Sequence, residues 1–64
     1  MQPKKTIQQR EKELQFLLAN PAGRKELEIL ESRYHEAGNR MRPQRASIIT
    51  YILVYERERG LISS

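Results

Sequence analysis

The 64-residue chain has no cysteine, no tryptophan, no aspartate and only one histidine, His35. The first absence excludes disulfides. Together with the missing aspartate and the lone imidazole it leaves a closed metal site without ligands, so no metal or other cofactor is expected. Long apolar runs are missing too. The longest, residues 48–55, has eight residues including Thr50, where a membrane span needs about 20. No apolar stretch follows the basic start MQPKKTIQQR, which therefore does not read as a secretory signal. The chain reads as a soluble, cytoplasmic protein with no membrane partner. A domain this short buries only about 60% of the surface its unfolded chain exposes. Small scaffolds are commonly reinforced by disulfides, a metal or a partner, and here self-association is the reinforcement that remains.

Catalysis is equally short of parts. His35 is flanked by Tyr34 and Glu36 with no second imidazole and no thiol. The serines apart from Ser32 are a helix cap, Ser47, and the terminal pair Ser63 and Ser64. No nucleophile–base pair can be assembled from these, and the chain is read as not an enzyme. There is no glycine-rich phosphate loop, and so small a core leaves little room for a small-molecule substrate.

What is present is charge and helical periodicity. The net charge is +4, and it is unevenly placed. Residues 1–5 carry Lys4 and Lys5, residues 38–47 carry Arg40, Arg42 and Arg45 with no acid, and the rest is close to neutral. Glycine and proline divide the chain into three helical segments, at about 7–19, 21–37 and 47–59. Thr6 and Gln9 form a capping-box pattern ahead of the first. Asn20 and Pro21 are a good N-cap and first position for the second, Gly23 weakens its first turn, and Gly38 supplies its stop. Ser47 and Gly60 bracket the third. Its run of β-branched and aromatic residues favours a strand, but a lone strand has no partner in the chain, so helix is the reading. The expected fold is an all-α, small three-helix domain over residues 6–62, with a basic flexible tail at 1–5, an end at 63–64, and the third helix as hydrophobic centre. Its core is expected to contain Leu14, Leu17, Leu18, Leu27, Leu30, Tyr34, Ile48, Ile52 and Tyr55, with Leu61 as a candidate to fold back. Phe16 and Ile29 point away from their helices' apolar stripes.

Two surfaces could carry function. On a helical wheel the third helix is apolar over more than half its circumference, with only Thr50, Glu56, Arg57 and Glu58 left for water; such a helix needs cover nearly all round. Ile49, Tyr51, Leu53 and Val54 are the interface candidates, and a homodimer or protein partner is the expected occupant. The alternative is nucleic-acid binding, with Arg40, Arg42 and Arg45 of the 38–46 linker and Lys4 and Lys5 on phosphates. The stretch SIITYILVYERERGLI loosely resembles the end of the recognition helix in winged-helix DNA-binding regulators, where Gly60, Leu61 and Ile62 would lead into the wing. The linker exceeds the tight turn of that motif and the helix offers little polar face for bases, so no membership is assigned.

Overall fold

The computed structural model describes residues 4–37 and 46–63. Among these residues three helices form in chain order, α1 (Ile7–Ala19), α2 (Pro21–Glu36) and α3 (Ile48–Glu58), and each packs on the other two. The expected all-α three-helix domain is thus the fold. α2 ends one residue short of the expected boundary, and α3 is one residue shorter at its C-terminal end, with Ser47 as its N-cap.

The helix ends follow directly from sequence. The Thr6 hydroxyl accepts from the Gln9 backbone N–H at 3.2 Å and the Gln9 side chain accepts from the Thr6 N–H at 3.0 Å, a complete capping box. Asn20 serves two helices at once. Its N–H donates to the Leu17 carbonyl at 3.1 Å to close α1, and its Oδ1 accepts from the Ala22 N–H at 3.0 Å to open α2. Arg24 Nε reaches back to the Leu18 carbonyl at 2.8 Å, satisfying another acceptor at the α1 terminus. α3 closes in a Schellman motif. Gly60 lies at φ 71°, its N–H donates to the Arg57 carbonyl at 3.1 Å, and the Leu61 N–H donates to the Glu56 carbonyl at 2.8 Å.

With one residue between α1 and α2, the two backbones nearly touch. A Cβ placed on Gly23 would lie 2.7 Å from Leu17 Cα and 2.8 Å from its carbonyl carbon. Gly23 is therefore required by the close approach of α2 to α1, and its effect on helix propensity is secondary.

The core joins Leu14, Leu27, Ile49 and Ile52, with Leu17, Leu18, Leu30, Tyr34, Ile48 and Leu53 packed around them. Tyr51 and Ile62 are also buried, and α3 supplies three of the six buried hydrophobic residues among those described. Leu61, the candidate to fold back, is 54% exposed, and Ile62 is inside instead. The cause is pairing of residue 63 with the start of α1. The Ser63 N–H donates to the Lys5 carbonyl at 2.8 Å and its carbonyl accepts from the Ile7 N–H at 3.0 Å, a parallel bridge of Thr6 with Ser63.

Candidate interaction surface

Of the four interface candidates on α3, the structure covers two. Ile49 and Tyr51 are covered within the chain, at 4% and 0% exposure. Leu53 and Val54 are half-buried. Both other helices pack against α3.

Glu56 is the second correction. Assigned to water on the sequence, it is 3% exposed. The Arg10 guanidinium forks onto its carboxylate, with Nε 2.9 Å from Oε2 and Nη2 2.8 Å from Oε1. The Tyr34 hydroxyl donates to the same Oε1 at 3.0 Å. Arg10 Nη1 also donates to Glu13 Oε1 at 3.0 Å, and Glu13 is paired in turn with Lys5. The chain of contacts crosses all three helices: Arg10 and Glu13 from α1, Tyr34 from α2, Glu56 from α3. The hydrogen bond to Glu56 is the main reason the Arg10 pKa is raised above its ordinary value. Burial, reinforced by the bond to Glu56, pushes the Tyr34 phenol up to about 12. The hydrogen bond from Lys5, assisted by Arg10, holds the Glu13 carboxyl below its ordinary value. Beside this network the Tyr34 ring stacks on Tyr55 with centroids 3.9 Å apart and planes 10° from parallel, and the Arg59 guanidinium lies 5.2 Å from the Tyr55 centroid. With its acceptor oxygens committed to Arg10 and Tyr34, Glu56 acts as a fastener between helices.

The open apolar surface lies elsewhere. Between α1 and α2 runs a groove of about 390 Å³ lined by Arg10, Leu17, Glu26, Leu27, Ile29, Leu30 and Arg33. Of its leucines, Leu17 and Leu30 are half-buried and Leu27 is 1% exposed, while Ile29 is 48% exposed. Phe16, on α1, is 73% exposed. Both had been placed off the apolar stripes by their phase.

The basic candidates divide. Arg40, Arg42 and Arg45 lie outside the described residues. Lys4 and Lys5 are both exposed, and Lys5 is engaged by Glu13 and by the pairing with Ser63. His35 is exposed on α2. Among the described residues there is no group of three or more His, Cys, Asp or Glu side chains able to hold a metal, and no helix is long and apolar enough to cross a membrane. Comparison with protein-family models, curated proteins and solved structures finds no match to this chain.

Proposed function

We propose that the chain is a small, non-enzymatic protein–protein interaction module that self-associates. The observation that carries this reading is the groove between α1 and α2, which Leu17, Leu30 and the exposed Ile29 line together. Scattered surface apolar residues need no explanation, but here the exposed isoleucine shares a groove with the half-buried Leu17 and Leu30, beside Glu26, Arg33 and Arg10. The small core adds a motive, since domains of this size gain most from a partner. The contact face moves from α3, where the wheel placed it, to the hairpin side. Sedimentation equilibrium from low micromolar to millimolar concentration tests the module; a monomer throughout refutes it.

Nucleic-acid binding stands as the alternative on the sequence alone, through Arg40, Arg42 and Arg45 with Lys4 and Lys5. Three phosphate contacts from Arg40, Arg42 and Arg45 predict a slope of about −2.7 in log affinity against log salt on duplex DNA. Replacing all three with alanine should flatten it, and no binding at low salt removes the alternative. The cytoplasmic location belongs to the same proposal, and cell fractionation tests it.

A further inference from the structure

We propose that a second copy of this chain covers the α1–α2 groove, with the two α2 helices antiparallel across a two-fold axis between residues 29 and 30. This rests on the reading of the chain as a self-associating module and names its seam. Glu26, Ile29, Leu30 and Arg33 follow the spacing i, i+3, i+4, i+7 that aligns side chains on one helix face, and all four line the same groove. The charges at its ends have opposite sign. Neither Glu26 nor Arg33 has an ion-pair partner among the described residues, and both are exposed.

The order of these residues is self-complementary. The midpoint of Glu26 and Arg33 along α2 is also the midpoint of Ile29 and Leu30. Two-fold symmetry about that point sets Glu26 opposite the partner copy's arginine at 33, Arg33 opposite its glutamate at 26, and the Ile29–Leu30 pair against its own image. An isologous interface requires just such a patch, one that matches itself after rotation. A parallel or shifted pairing would lose the charge match. The 16 residues of α2 give a rod about 24 Å long, enough for a full seam with the flank of α1 beside it. The buried network does not compete for these groups, since Arg10 is held by Glu56 and Glu13.

Charge reversal tests both the seam and its symmetry. Glu26→Arg and Arg33→Glu alter exposed positions, and circular dichroism checks that each variant keeps its helices. Each variant alone places like charges opposite each other twice per dimer, and its self-dissociation constant should rise at least about tenfold in sedimentation equilibrium at low salt. An equimolar mixture of the two should dimerise again as a heterodimer, and the double variant E26R/R33E should recover the wild-type constant. A wild-type dimer indifferent to these reversals overturns the α2 seam while leaving self-association standing. A chain monomeric at every concentration overturns both. A dimer weakened by the reversals but not rescued in the mixture overturns the antiparallel two-fold arrangement.

Discussion

Removing Arg10 should cost this domain a large part of its stability. The Glu56 carboxylate sits at 3% exposure and accepts from both Arg10 nitrogens and from Tyr34. In Arg10→Ala the carboxylate stays buried with Tyr34 as its one remaining side-chain donor among the described residues. Breaking a buried ion pair from one side costs about 3–5 kcal/mol. The Arg10 side chain is 20% exposed, so water can partly take its place, and about 2–4 kcal/mol is the better expectation. A chain of 64 residues has a total stability of roughly 3–10 kcal/mol, so the loss is about a fifth or more of what holds the fold. With about 4–8 °C of melting temperature per kcal/mol, Arg10→Ala should melt at least about 8 °C lower by far-ultraviolet circular dichroism. The companion variant Arg10→Met/Glu56→Leu replaces the pair with apolar groups and should regain most of the loss. A single variant within about 0.5 kcal/mol of wild type in urea titration would refute the assignment of Glu56 to a buried, arginine-held site.

Three further outcomes are expected. Gly23→Ala drives a methyl into the Leu17 backbone; overpacking costs about 1–3 kcal/mol, against a gain in helix propensity of about 1 kcal/mol, so chemical denaturation should show a net loss. Thr6→Ala removes the α1 capping box and should lower stability by about 1 kcal/mol, with the fastest amide exchange appearing in the first turn. The raised Tyr34 pKa means the folded chain holds that proton more tightly than the unfolded one. Its contribution is full below the ordinary phenol value of about 10 and is lost as pH rises through about 12. Tyr34→Phe should flatten that alkaline loss and delete a step near pH 12 from the tyrosinate absorbance titration.

The helices were legible because their punctuation is local. Thr6, Asn20, Ser47 and Gly60 act within four residues of themselves, and all four cap as their types suggest. The heart of the core was legible too: Leu14, Leu27 and Ile52 are buried as their periodicity implied. Glu56 was misplaced because residue type outweighed phase. It lies four residues after Ile52 and seven after Ile49, squarely on the buried stripe of α3, and that spacing was the signal available. Its partner Arg10 is 46 positions away, and nothing in a single sequence links them. Gly23 was read for propensity, whereas its role comes from a backbone that only the folded hairpin brings near. The groove was half legible: phase put Ile29 off the stripe, but the placement of Glu26, Ile29 and Arg33 beside Leu17 depends on how α2 leans on α1.

The bridge between Thr6 and Ser63 has a mechanical consequence. The two segments run in the same direction, so tension drawing residue 5 and residue 63 apart along the chain pulls them past each other instead of peeling them open. Both hydrogen bonds, Ser63 to Lys5 and Ile7 to Ser63, then bear load side by side and must yield together. A force transmitted through this domain would meet that small clasp before it reached the helices, and the first structure lost would be the seating of Ile62 and the start of α1.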